Sequence, residues 1–316
     1  MNYIVVSTYD TFNKYLGTHS GAFQADEVLA IVLLKQLPRY KNHIILRTRD
    51  KNELNNCEVV VDVGMEYNID TMRFDHHNTS FYETFNNNFK TRLSSAGLLY
   101  KNFGLSVLKE LLGSLSLTEL NLLYNKIYRN FIEAIDAIDN GMPICDGKQN
   151  YIILTGISSR VSYLNPEWNE ECDDNILNQR FSKALKLVEK EFKEHIYYLY
   201  NSWLSAYNIV NNSINNRYNI HISGQIIVLE RYCPWNAHLS IIEYDLRIKS
   251  HIKFVIYKSK YNNTWNINTV NNQRFPIFMC DATNIYDCIF INDVGTYSCN
   301  KTLQGAISMC SYILNL

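Results

Sequence analysis

An acid followed by two histidines, Asp75-His76-His77, stands at the end of the short run Met72-Arg73-Phe74. Carboxylate beside imidazole is the donor set of a metal-dependent hydrolase: such a mixture suits Mn²⁺, with Mg²⁺ and Zn²⁺ also fitting. Residues of the same chemistry recur at comparable places. Asp62 follows Val59-Val60-Val61 and precedes Gly64, and His19 and Asp26 flank the segment GTHSGAFQAD (17–26), which opens a helix. Taken singly, Asp62 reads as a turn or cap and His19 as a packed imidazole. Asp26-Glu27 also reads as a pair capping the helix that follows. Asp139 is harder to explain that way. It falls in the last turn of a helical stretch, where the macrodipole disfavours a carboxylate by about 0.3–1 kcal/mol, so a nearby cation accounts for it better. Asp136 lies one turn earlier on nearly the same face, and either acid could be the one that meets the metal. Two ions held about 3.5–4 Å apart by such a set activate a hydroxide for in-line attack on phosphorus. No Gly-rich phosphate loop, G-x-S-x-G motif or Cys-His nucleophile pair competes with this chemistry.

The elements that must position these residues alternate strand and helix over the first half of the chain. Residues 3–7 read as a strand or an extended arm, 24–37 as a helix, 43–48, 57–63 and 71–75 as strands, and 95–103 as a helix closed by Gly104. That alternation predicts a parallel sheet with helices on both faces, an α/β fold. Ligands of such sheets sit beyond the carboxyl ends of the strands, which is where His19, Asp62 and Asp75-His76-His77 fall. Residues 117–140 read as one long helix, with Leu120, Leu123, Ile127, Phe131, Ile135 and Ile138 at helical spacing and Gly141 as its stop. Residues 174–210 are also largely helical. The last hundred residues turn strand-rich in QIIVLE, KFVIYK, TWNINTV and CIFIND, and 303–314 form a final helix. Two domains are expected: 1–150 with the catalytic parallel sheet, and 151–316, a smaller α+β domain reached by a helical connection, the boundary lying within 145–215.

Composition narrows the class. The chain has 316 residues, 47% hydrophobic, with a formal net charge of −1. That is enough apolar material for a sizeable core, and it lacks the basic excess of a protein that coats long nucleic acid. Any nucleic-acid substrate is therefore short or met by a local basic patch. The eight cysteines form no C-x-x-C pair and are expected reduced and mostly buried. No secretory or organellar signal and no membrane-length apolar run is evident, so a soluble intracellular protein is expected. Trp168 and Trp235 are expected in a core or between domains, and His195, His221 and His251 on the surface.

The segments GTHSGAFQADEVLA (17–30), VVVDVG (59–64), MRFDHHN (72–78), RLSSAGLLY (92–100), EAIDAIDNG (133–141), SSRVSYLNPEWN (158–169), CPWNAHL (233–239) and NKTLQGAISM (300–309) together resemble the melanocyte proliferating gene one family of the DHH phosphoesterase superfamily. The resemblance implies a DHH-type N-terminal domain and a 3′-to-5′ RNA exonuclease acting in nucleus or mitochondrion on short single-stranded RNA, with no membrane partner. By superfamily analogy Asp62 and Asp139 bridge two Mn²⁺ ions. His19 and Gln24 complete one site, Asp26 and His76 the other, and His77, next to Asp75, supports the chemistry or acts on the substrate. The second domain clamps the phosphate or 3′ end, with Arg160, His238, Asn300 and Lys301 as candidates. Arg160 reads equally well as a structural ion-pair partner. Two departures stand out. Gln24 occupies the place of the family's second histidine in H-x-x-x-x-H-x-D, and Ser298-Cys299 replace two glycines before Asn300-Lys301-Thr302. The stretch between the last two strands is also short for the family. These departures keep open an attenuated or inactive relative that works as a binding protein, and a small phosphoester remains an alternative substrate.

Overall fold

In the computed structural model, residues 3–270, 273–274 and 287–315 are described; most of the stretch between the last two predicted strands lies outside them. The chain divides into two compact units, 1–200 and 201–316.

The first unit runs β1 (Val5–Val6), β2 (Tyr15–Thr18), α1 (Ala25–Gln36), β3 (Ile44–Arg47), α2 (Lys51–Asn55), β4 (Val59–Val61), β5 (Tyr67–Asn68), β6 (Arg73–Phe74), α3 (Ser95–Leu112), α4 (Leu117–Ile127), α5 (Glu133–Asp139), α6 (Ile157–Ser162) and α7 (Asp174–Tyr198). The six strands form one sheet in the order β1-β3-β2-β4-β6-β5. Every pairing is parallel except β5 with β6. β2, β3 and β4 are buried almost throughout, as strands covered on both faces must be. All twelve residues of α1 are buried, with α3, α5, α6 and α7 packed around it, so its sequence shows a continuous apolar run instead of a one-sided stripe. Lys35 belongs to this helix. Its ammonium reaches Lys41 O at 2.7 Å and His43 O at 2.6 Å, which satisfies a charge that would otherwise be costly to bury.

Three local expectations change. β2 is a strand in a stretch, 15–18, to which the sequence pattern assigns no strand. α3 runs through Gly104 and ends at Gly113. Gly104 is there for packing: a Cβ would sit 2.8 Å from the Tyr100 ring and 2.9 Å from Tyr124 of α4. The helix expected over 117–140 is interrupted by a π-helical turn, Tyr128–Ile132. One extra residue in a turn rotates everything downstream by about 100°. Tyr128, Ile132, Ile135 and Asp136 therefore face inward, and Ile138 is left 52% exposed.

The second unit contains α8 (Ser205–Asn215), α9 (Arg217–Ile220), β7 (Ile226–Leu229), α10 (Asn236–Asp245), β8 (Phe254–Lys258), β9 (Trp265–Thr269), β10 (Cys288–Ile291), β11 (Tyr297–Asn300) and α11 (Leu303–Leu314). Its sheet, in the order β10-β11-β9-β8-β7, is antiparallel apart from β7 with β8. Ile226, Phe254, Ile256 and Ile267 pack with Ala306 and Met309 of α11. The mixed α+β character expected for the C-terminal half is present. None of the seven described cysteines forms a disulfide with another, and four are buried. Among the described residues no helix is long and apolar enough to cross a membrane. Trp168 departs from the expected core position and is 94% exposed.

Candidate metal centre

β2, β4 and β6 are adjacent in the first sheet, and each delivers functional groups just past its carboxyl end: His19, Asp62, and Asp75-His76-His77. Asp62 leaves β4 with φ 57°, a left-handed conformation that costs a non-glycine residue of order 1 kcal/mol and is kept where neighbours enforce it. Here the Asp62 amide donates to Phe74 O at 3.1 Å and Ser95 Oγ donates to its carboxylate at 3.2 Å. The chain beyond β6 is held by Arg92, whose guanidinium donates to His76 O.

α1 brings the next two acids. Gln24 caps it, and the Gln24 amide donates to Glu27 Oε1 at 2.8 Å, so the capping role expected for the acidic pair is real for Glu27. The same Oε1 lies 3.1 Å from His19 Nε2. Asp26 is fully buried. Asp139, the last residue of α5, reaches in from the opposite side.

The distances tie these groups together. The two oxygens of Asp62 face different ways: Oδ2 is 3.4 Å from His19 Nε2, and Oδ1 is 3.5 Å from His76 Nε2. His76 Nε2 is 3.0 Å from Asp139 Oδ2 and 4.0 Å from Asp26 Oδ2. Three sets of donors, His19/Glu27/Asp62, Asp62/His76/His77 and Asp26/His76/Asp139, each lie within 4.8 Å of one another. Asp62 and His76 are each shared by two sets. Asp75 is a neighbour of this cluster. Its Oδ1 meets His77 Nδ1 at 2.6 Å, and its Oδ2 accepts the Met65 amide at 2.7 Å. His77 is half-exposed into the cavity beside the cluster.

The electrostatics show how much positive charge the cluster wants. Burial, then the charges of Asp62, Glu27 and Asp139, push the Asp26 carboxyl well above its ordinary value, and neither of its oxygens receives a hydrogen bond. Burial disfavours ionised Asp62 as well, but His19 and His76 outweigh it and hold the carboxyl low. Burial lowers both imidazoles, yet the adjoining carboxylates overcome it, raising His19 to about 10 and His76 to about 9. A buried carboxylate without a donor, surrounded by acids that draw protons onto histidines, is the environment a divalent cation relieves. The oxygen and imidazole donors fit Mn²⁺ or Mg²⁺.

Of the residues singled out in the sequence, His19, Asp26, Asp62, His76 and Asp139 come together, with Asp75 and His77 adjoining. Asp136 does not face the cluster: it accepts hydrogen bonds from Ser94, Gly97 and Tyr128. Gln24 is exposed and borders two cavities. One, of about 430 Å³, is lined by His19, Asp62, Asp75 and His77; the other, of about 300 Å³, by Asp26, Asp139, Ile135 and Tyr163. Arg160 is ion-paired with Glu191 of α7, as its structural reading anticipated. His238 is buried between Trp203 and Tyr207. Asn300 is buried and accepts from Ser298 Oγ at 2.9 Å. Neither presents a surface to a substrate. Lys301 is exposed. Two residues escaped the sequence reading. Glu27 was visible only as a cap. Arg49, just beyond β3, lines the larger cavity, and its one signal was its position after a strand.

Comparison with known proteins is consistent with this site. The model of MYG1_exonuc, described as uncharacterised protein family UPF0160, matches residues 15–277. The MYG1 protein of Dictyostelium discoideum is 39% identical, covering 94% of this chain and 95% of its own. The human MYG1 exonuclease is 37% identical, covering 93% and 84%. Among solved structures, the pGpG-specific phosphodiesterase PggH of Vibrio covers 96% of this chain and 98% of its own at 13% identity, with a TM-score of 0.28 too low to bear on the site. Identity of this level over nearly the full length of both chains, with the matched span running through every strand-end donor, means that this chain belongs to the MYG1 family.

Proposed function

We propose that this chain is a divalent-metal-dependent phosphodiesterase that removes nucleotides from the 3′ end of short single-stranded RNA. The coarse activity, metal-dependent hydrolysis of a nucleic acid or phosphoester, accords with relatives named exonucleases. The observation that carries the reading is the meeting of His19, Asp62 and His76, from the ends of three adjacent strands, with Asp26 and Glu27 of α1 and Asp139 of α5 in overlapping donor sets, each within 4.8 Å.

These residues would hold two divalent ions, with Asp62 contributing to both sets of donors. The pair, when bound, acidifies a water and neutralises charge on the phosphoryl oxygens. The protein's own groups do the rest. Asp75 accepts from His77 Nδ1 at 2.6 Å, which sets the tautomer and leaves Nε2 to hold or deliver a proton at the leaving oxygen. Burial of Asp26 and Asp139 keeps bulk water from competing for them. The chain's lack of basic excess and the bounded cavities favour short substrates over long duplexes.

The test is cleavage of a 5′-labelled single-stranded RNA of about ten nucleotides with Mn²⁺. We expect a ladder shortening from the 3′ end that disappears with chelator and with D62N. A 5′-labelled mononucleotide as the first product would reverse the direction; cleavage of dinucleotides alone would move the substrate to a small phosphoester. Absence of cleavage on all of these would leave a binding protein.

A further inference from the structure

We propose that Arg49 is the anion-binding residue of this site, its guanidinium taking the phosphate of the substrate in the larger cavity. This rests on the phosphodiesterase reading and adds a residue to it.

Two arginines lie two positions apart at the end of β3, and the structure treats them differently. Arg47 is buried, 2% exposed, stacked over the rings of Phe23 and Phe181 and bonded to Gly21 O. Its work is to brace the loop between β2 and α1. Arg49 is exposed to the cavity that also holds His19, Asp62, Asp75 and His77, and it is the one lysine or arginine among the described residues lining it. Among the described residues no carboxylate lies within ion-pair distance of it. Its near neighbour is His19 Nδ1, 3.4 Å from Nη2. That contact reaches one nitrogen of the fork. His19 Nδ1 also lies 3.2 Å from Ser20 O, and His19 Nε2 is directed at Glu27 and Asp62, so a His19 that gives Nε2 to a metal carries its proton on Nδ1 and turns it to Ser20 O. In that tautomer two donors face each other, and the guanidinium fork has no acceptor among the described residues.

An anion supplies one. A guanidinium offers two parallel N–H groups that match two oxygens of a phosphate. Charge points the same way. Beside whatever ions the acids would hold, Arg49 is the fixed cation that this cavity offers an arriving phosphodiester. The cavity, about 430 Å³, is within the range that takes a nucleotide.

The experiment is calorimetric titration of adenosine 5′-monophosphate into the Mn²⁺-loaded full chain, alongside Mn²⁺ titration of each variant. We expect R49A and the nearer-shaped R49Q to weaken nucleotide binding about 10- to 100-fold, with the Mn²⁺ stoichiometry unchanged. R49K should recover part of the loss, because an ammonium keeps the charge but not the fork. Equal binding by wild type, R49A and R49Q overturns the proposal, as does a wild type that does not bind the nucleotide. Loss of Mn²⁺ in the Arg49 variants also overturns it, making Arg49 a support for His19. A wild type that binds the nucleotide through Arg49 yet cleaves no RNA leaves this inference standing and removes the exonuclease reading.

Discussion

The amide of Gly97, in the first turn of α3, donates to Asp136 Oδ1 at 3.0 Å, and a Cβ at position 97 would lie 2.5 Å from that oxygen. The contact needs a residue with no side chain. It locks α3 to α5, together with Ser94 N and Oγ on the same oxygen and Tyr128 OH on the other. Because α3 also carries Ser95, which holds Asp62, and α5 carries Asp139, this buried carboxylate sets the spacing of two acids it never touches.

Gly97→Ala should therefore destabilise the protein by about 1–3 kcal/mol through overpacking. Chemical denaturation should show a lower midpoint with an unchanged slope. A midpoint equal to wild type would mean that the helices separate freely and that the contact is not structural.

Asp136 and Asp139 should separate cleanly in their effects. Asp139→Asn should weaken Mn²⁺ binding by about 10-fold or more with little change in stability. Asp136→Asn should lower stability while leaving the Mn²⁺ stoichiometry intact. Calorimetric metal titration beside a melting curve for each variant measures both, and a reversed pattern would exchange the two roles.

Lys35 provides a pH signature remote from the site. Burial lowers its ammonium from 10.5 to about 8. Between those values the unfolded chain binds a proton that the folded chain has released, so this group's contribution to stability rises as pH climbs from about 8 to 10.5 and is flat below and above. Wild type should gain stability relative to Lys35→Met across that window, by about 3 kcal/mol. Parallel stability profiles would show that Lys35 titrates alike in both states.

Gln24 borders both cavities next to the acids of α1, at the place where the sequence resemblance implies a histidine. A glutamine brings a neutral oxygen where imidazole would bind a borderline metal better. Gln24→His should lower the Mn²⁺ concentration needed for half-maximal activity. Superimposable activation curves would remove residue 24 from the metal shell and leave it as the cap of α1.

The strand-end chemistry was legible in the sequence because it is local. An apolar run that stops at an acid or a histidine marks both the strand and the residue beyond it, and adjacency of parallel strands does the rest. Asp62 and Asp75-His76-His77 are legible this way, as is α1 from its unbroken apolar character, whereas His19 follows Tyr15–Thr18, whose glycine and threonine hide the strand. Spacing does not choose between Asp136 and Asp139, because a constant helical period does not hold through residues 128–132. The π-helical turn there adds a residue to the turn and rotates α5, sending Asp136 to Gly97 and Asp139 to His76. Glu27 and Arg49 were hidden for a related reason. A capping acid and a cation after a strand are ordinary in sequence, and their meaning depends on what lies across the sheet edge from them. That is decided by pairing β3 with β2 and seating α1 above the same edge, which brings together residues that no local pattern relates.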